Sequence, residues 1–293
     1  MSDYQREVLT QPELWRRAMA LGAAEENRLP RPGARVALVG CGTSLYVAQA
    51  VAAFREAQGT GETDAFAASE MPLSRSYDLV VAISRSGTTT EVLDVLGALA
   101  GRVPTLAITA MEGGEIAARS DEQIVLSWAD ERSIVQTRFA TTVLALLLGR
   151  SGWDVAASAD AAEQLLAGAA PSGIEDVEQF VFLGRGFAAA IANEAALKMR
   201  ETLGMWTEAY PTREFRHGPI SAIGERSLVW FLDDAEPSID AAIRETGARL
   251  WRPVADPLAE LVRVHQAAGV LAEHRGVNPD APRHLTRSII LAD

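Results

Sequence analysis

An α/β fold of two doubly wound parallel-sheet domains, each with helices on both faces, is predicted by three observations on this 293-residue chain. Short apolar runs end in a small residue and lead through a Gly/Ser/Thr loop into a helical pattern. The unit recurs within the first 110 residues, and it begins again near residue 179. Continuous apolar strands alternating with helices indicate a parallel sheet covered on both faces, and the restart suggests two similar halves.

Taken in order, residues 1–30 form a charged, helix-prone arm in which Pro12 sits at the start of a helix, and Pro30, Pro32 and Gly33 close it. Residues 35–40 form the first strand, ending at Gly40, with Cys41, Gly42, Thr43 and Ser44 leading into an alanine-rich helix to about Gln58. The pattern returns at 79–83, with Ser84, Arg85, Ser86, Gly87, Thr88 and Thr89 before a helix from Glu91, and again at 104–109. A soft Ala/Gly/Pro/Ser stretch at 167–173 separates the halves. The second half opens with a strand at 179–184 and a helix over 188–202 that no glycine or proline interrupts, followed by strands at 227–232 and 248–251. The expected organisation is therefore an arm (1–30), a first domain (31–165) and a second domain (166–293).

Composition narrows the function. A hydrophobic content of 48% supports a sizeable core, and a net charge of -12 argues against a nucleic-acid surface or an anionic membrane as partner. No apolar stretch approaches the roughly 20 residues a membrane span requires. The single cysteine, Cys41, excludes an internal disulfide, and the opening residues lack the apolar core of a secretory signal, so a cytoplasmic protein is expected. His217, His265, His274 and His284 lack the spacing of a ligand cluster, so neither a metal nor a cofactor is expected.

Lys198 is the only lysine; every other basic side chain is an arginine. A desolvated ammonium can lose its proton where a guanidinium cannot, which raises the question of lysine chemistry. Spacings of four and three place Glu194, Lys198 and Glu201 on one helix face. Exposed, that face is an ordinary ion-pair ladder; buried, it is a proton-handling group. The loops after the first two strands combine glycines, hydroxyls and a helix N-terminus, which suits an anion such as phosphate, although each loop alone also reads as a simple helix cap. Neither matches a nucleotide motif, so a small phosphorylated metabolite fits better.

Gly42-Thr43-Ser44, Ser84 through Thr89, Gly184-Arg185-Gly186 with Glu194, Lys198 and Glu201, Glu208-Ala209-Tyr210, and Glu214 through Pro219 occur together in one order. That set resembles the sugar isomerase (SIS) family, as found in the isomerase half of glucosamine-6-phosphate synthase and in stand-alone sugar-phosphate isomerases and amino-sugar-phosphate deaminases. The resemblance covers about residues 30–293 and implies two flavodoxin-like domains. It places Gly42, Thr43, Ser44, Ser84, Arg85, Ser86 and Thr89 at the sugar phosphate. Glu201 falls at the general base that moves a proton between sugar carbons one and two, with Lys198 beside it. His217 falls at the ring-opening histidine, often supplied by the neighbouring subunit, which implies a homodimer sharing its sites. Glu131 and Gln136 match a loop lining the sugar.

At one position the chain departs from the family: Arg287 stands where the synthase has its Schiff-base lysine. Arginine does not form an imine but can bind substrate oxygens. Proton transfer through an enediol(amine), a covalent role for Lys198, and a site without catalysis all remain open. No glutaminase half is expected, which leaves isomerisation or deamination of an amino-sugar 6-phosphate, plain aldose-ketose isomerisation, or a non-catalytic sugar-phosphate regulator.

Overall fold

Every residue of Val36–Gly40 is buried, as befits a strand with neighbours on both edges and helices on both faces. The computed structural model describes residues 1–291. Two helices, α1 (Asp3–Leu9) and α2 (Gln11–Ala24), precede this strand, β1. β1 belongs to a five-stranded parallel sheet with β2 (Thr63–Ala67), β3 (Leu79–Ile83), β4 (Thr105–Thr109) and β5 (Glu122–Val125), in the order β2-β1-β3-β4-β5. Helices α3 (Thr43–Ala57), α4 (Thr90–Leu99) and α5 (Gly114–Arg119) connect the strands, and α6 (Arg138–Arg150) and α7 (Val155–Ala167) follow. Ala37, Val39, Val80, Ala82 and Ala107 of the central strands bury against Val92, Leu96 and Leu99 of α4.

A second parallel sheet has the order β7-β6-β8-β9, built from β6 (Gln179–Gly184), β7 (Thr207–Pro211), β8 (Ser227–Phe231) and β9 (Arg249–Trp251). Its helices are α8 (Phe187–Leu203), α9 (Pro237–Glu245) and α10 (Pro257–His274). The uninterrupted helical sequence of α8 ends where Gly204 takes the left-handed conformation (φ 63°). Proline opens α10, and the Asp256 carboxylate caps it by accepting from the backbone N–H groups of Leu258 and Ala259 at 3.0 and 3.3 Å. α10 packs along α8, and α1 packs on α10.

The six strands expected from sequence are all present within one residue of their ends, and the fold is the two-sheet α/β arrangement predicted. β2, β5 and β7 were not anticipated, nor were α5, α6, α7, α9 and α10. Two compact units emerge, and they are not simple halves of the chain. The five-stranded unit comprises Glu13–Glu131, Arg138–Val155 and the tail from Thr286; the four-stranded unit comprises Met1–Pro12, Arg132–Thr137 and Ala156–Leu285. The arm of residues 1–30 is thus divided between them. Its first turn is tied to the four-stranded unit by the Asp280 carboxylate, which accepts from the N–H groups of Asp3 and Tyr4 at 2.8 and 2.7 Å. Among the described residues no helix is long and apolar enough to cross a membrane.

One buried carboxylate fixes α10, and with it the cover over α8. Glu260, fully buried, accepts from Trp230 Nε1 on β8 at 2.7 Å, from Arg263 at 2.7 Å and from the Val254 N–H at 3.1 Å. The Arg263 guanidinium also lies over the rings of Trp230 and Trp251. Removing the carboxylate strands three donors at once, so Glu260→Ala is expected to cost about 3 kcal/mol in chemical denaturation. Glu260→Gln keeps an acceptor for Trp230 and should cost clearly less.

Candidate functional site

In the order β2-β1-β3-β4-β5, consecutive strands run outward in opposite directions from the β1/β3 boundary. Ligands of open α/β sheets bind at that boundary, beyond the carboxyl ends of the strands. The loop after β1 turns at Gly42, whose φ of 55° and ψ of -122° suit glycine, and α3 begins at Thr43 with both Thr43 and Ser44 buried. Burial raises the pKa of the Cys41 thiol in this loop, and Glu91 adds to the rise, which makes it a poor nucleophile.

The loop after β3 is held by its own hydroxyls. Ser84 Oγ lies 3.2 Å from Thr89 Oγ1 and accepts from the Gly87 N–H; Ser86 Oγ accepts from the Thr88 N–H and hydroxyl. The tail lies on this loop. Ser288 Oγ meets Ser86 Oγ at 3.1 Å and Thr88 Oγ1 at 2.9 Å, and Leu291 N–H donates to Thr90 Oγ1 at 3.0 Å. Buried Arg85 donates to the carbonyl of Arg287 at 3.1 Å. Arg287 in turn grips both oxygens of Asp130 at 2.5 and 2.6 Å and donates to the Glu131 carbonyl. The Glu131 carboxylate accepts from the backbone of Arg138 and Phe139 at 3.1 and 3.0 Å, so it caps the start of α6. Gly42, Thr43, Ser44, Ser84, Arg85, Ser86, Thr89, Glu131 and Arg287 therefore gather at one edge of one unit.

The second sheet repeats the skeleton with other decoration. Gly186 turns with φ 53° and ψ -125°, matching Gly42, but Phe187 and Ala188 open α8 where Thr43 and Ser44 open α3. By strand register Asp233 occupies the place of Ser84, and its carboxylate accepts from the Arg185 N–H at 3.2 Å and Nε at 3.3 Å. Burial raises the Asp233 pKa, against the downward pull of Arg185. A carboxylate thus stands where the first sheet offers hydroxyls.

A buried cluster of ionisable groups of this unit lies further along α8. Lys198 is completely buried; its Nζ sits 2.5 Å from Glu201 Oε2 and 3.5 Å from Glu194 Oε1. Glu194 is buried as well, while the Glu201 side chain is 21% exposed and reaches a cleft of about 610 Å³. The C-terminal turn of α8, with Arg200 and Glu201, forms one wall; Asn278, Arg283 and His284 form the other. Beneath α8, His265 of α10 is fully buried and its pKa is lowered to about 3, first by burial and then by the charge of Lys198. Its Nδ1 lies 3.3 Å from Gln11 Nε2, and its carbonyl accepts from the Tyr4 hydroxyl at 3.1 Å.

His217 lies on an exposed segment between the short helical turns Glu214–Arg216 and Pro219–Ala222, and it does not line the Glu201 cleft. Gln136 Oε1 is buried with no hydrogen-bond partner among the described residues. Sequence reasoning missed His265 and His284 as parts of this site. The signal for His265 was a polar residue within the apolar run of α10; for His284, its place in the tail between Pro282 and Arg287.

A family model described as "SIS domain" matches residues 31–149 and 173–249. The glutamine–fructose-6-phosphate aminotransferase (isomerizing) of Methanothermobacter thermautotrophicus is 26% identical over 87% of this chain and 51% of its own length. That of Symbiobacterium thermophilum is 28% identical over 92% and 53%. The chain spans about half the length of these curated relatives. Among solved structures, glucosamine-6-phosphate deaminase from Thermotoga maritima aligns with a TM-score of 0.83, 24% identity and coverage of 99% and 100% of the two chains. Tagatose-6-phosphate ketose/aldose isomerase from Escherichia coli aligns with 0.81, 19% and 97% of each. These two likenesses show the fold.

Two stability measurements test the electrostatics. Lys198→Met removes the buried cation that Glu194 and Glu201 both face and should cost about 3 kcal/mol, whereas adding Glu194→Met should recover part of it. His265 resists protonation when native, while the unfolded imidazole takes a proton near pH 6.5. The unfolded state therefore binds more protons below that pH. The stabilisation is fully present above pH 6.5 and is lost as pH falls toward about 3, by up to about 1.4 kcal/mol per unit. His265→Gln should flatten that slope in denaturation curves taken across the window.

Proposed function

The chain belongs to the SIS domain family, and on that premise we propose that it moves a proton between carbons one and two of an amino-sugar 6-phosphate, as a deaminase or an aldose-ketose isomerase. The observation that carries this reading is the Glu201 carboxylate, held at 2.5 Å by a fully buried ammonium and open to a cleft. A base that collects a carbon-bound proton must be aimed and remain accessible. Lys198 aims the carboxylate, and the cleft leaves it open to substrate.

In this reading Thr43, Ser44, Ser84, Ser86 and Thr89 hold the phosphate at two helix N-termini, where anions are favoured. Glu201 takes the proton from carbon two and returns it to carbon one. With an amino group on carbon two, the product is a ketose imine that water hydrolyses to ammonia and the ketose phosphate. His217, exposed and away from the Glu201 cleft of its own chain, opens the sugar ring for a neighbouring subunit in a cytoplasmic homodimer. The aminotransferase relatives and the deaminase and isomerase neighbours support a substrate of this class.

The chemistry proceeds without a protein imine. Lys198, the one side-chain amine, is completely buried and paired with carboxylates, and Arg287 is committed to Asp130.

Incubating the purified chain with glucosamine-, galactosamine- and fructose-6-phosphates, while following ammonia and exchange of the carbon-two proton of the aldoses or a carbon-one proton of the ketose, separates the outcomes. Ammonia from an amino sugar marks a deaminase, exchange alone an isomerase, and tight binding with neither a sugar-phosphate regulator. Glu201→Gln is expected to lower exchange at least about 100-fold while leaving sugar-phosphate binding within a few-fold of the parent. Retained exchange would remove Glu201 from the role of base.

A further inference from the structure

Moving a proton between adjacent carbons also moves one between the atoms attached to them. As Glu201 removes the proton from carbon two, the C–H electron pair forms the C1=C2 bond and the carbonyl pair shifts onto the oxygen of carbon one, which must receive a proton. When Glu201 then protonates carbon one, the amino or hydroxyl group on carbon two must give a proton up. The Glu201 cleft therefore needs a second proton carrier.

Within its own chain the cleft contains one candidate. The titratable and charged groups facing it are Arg200 and Glu201 from α8, and Arg283 and His284 from the segment after α10. Arginine keeps its proton at any working pH. Arg200 is further engaged with the Thr207 carbonyl at 2.7 Å. Lys198 and Glu194 lie buried in α8, and His265 lies buried in α10. That leaves His284, whose imidazole has two ring nitrogens, one able to donate a proton while the other accepts one. Its backbone is a second, independent mark: with φ 65°, His284 is the one non-glycine residue of positive φ among the described residues. Histidine tolerates that region poorly compared with glycine, and such conformations gather where a site holds a side chain in place.

Resting on the proposed proton transfer, we propose that His284 is the catalytic partner of Glu201. Its imidazolium gives a proton to the oxygen of carbon one as Glu201 takes one from carbon two. The neutral ring then recovers a proton from the group on carbon two as Glu201 protonates carbon one. Neither residue is consumed, and no co-reactant is needed.

The test uses the full chain with whichever of glucosamine 6-phosphate or fructose 6-phosphate the parent protein exchanges. His284→Asn keeps a residue that accepts positive φ but has no proton it can give up or take in the reaction. It is expected to lower kcat at least about 100-fold, to leave KM within threefold, and to erase one limb of the pH-rate profile. His284→Gly should regain rate on addition of imidazole. A His284→Asn protein with kcat within threefold of the parent overturns the assignment, as does one that loses rate yet keeps both limbs of the profile. A parent protein with no exchange on any sugar phosphate overturns the functional reading and this assignment together, whereas an active parent with an indifferent variant overturns this assignment alone.

Discussion

The ammonium of Lys198, buried without residual exposure and held by Glu194 and Glu201, is the constraint around which the four-stranded unit is arranged. An isolated charge in such a place would be prohibitive, so its counter-charges must come from the same helix face and that face must be covered. Three- and four-residue spacings on α8 supply the carboxylates. α10 supplies the cover, pinned to β8 through Glu260 and Trp230. The consequence reaches His265: beside a fixed positive charge and away from water, its ring stays neutral. The three groups divide the work, since Glu194 balances the charge, Lys198 transmits it, and only Glu201 extends into the cleft.

The two sheets show how one skeleton is given different tasks. Both place a glycine of nearly identical backbone angles after the first strand, and both run outward from the same strand boundary. In the five-stranded unit the turn is followed by Thr43 and Ser44, with Ser84 and Ser86 on the neighbouring strand's loop. In the four-stranded unit the corresponding positions are Phe187, Ala188 and Asp233, and the Asp233 carboxylate already accepts the Arg185 N–H. An incoming phosphate would meet a resident anion there. The second sheet is thus poorly suited to an anion, and its first helix carries the buried Lys198 and its two carboxylates instead.

What the sequence discloses follows from which features are local. Central strands such as 79–83 and 179–184 are apolar throughout because both faces are covered, and their bounds were readable. β5, Glu122–Val125, lies at the sheet edge and exposes Glu122, so its pattern gives no sign of a strand. The Glu194, Lys198, Glu201 face was visible as spacing, but only packing against α10 decides between a solvated ladder and a buried pair. The grip of Arg287 on Asp130 joins residues 157 apart, and Glu131, expected at the sugar, holds the start of α6 with its carboxylate. His284 was legible as a residue of the tail; its left-handed backbone and its place in the Glu201 cleft depend on the path of the chain after α10.

On the proposed reading, the arginine at position 287 and the character of the Glu201 cleft are connected by where an electron pair can go. An enzyme that forms an imine with its sugar has a positively charged nitrogen to receive the electron pair released at carbon two. On the proposed reading this chain has none, because Lys198 is buried and Arg287 is tied to Asp130. The pair must then settle on the substrate's own oxygen. An oxygen gaining charge is stabilised by cations and by a proton donor placed before the reaction starts. The cleft offers both kinds of group, with Arg200 and Arg283 as fixed cations and His284 as the one that can part with a proton. On the proposed reading, a cleft lined by two arginines and a histidine around one carboxylate therefore suits proton transfer through an enediol(amine) without covalent catalysis.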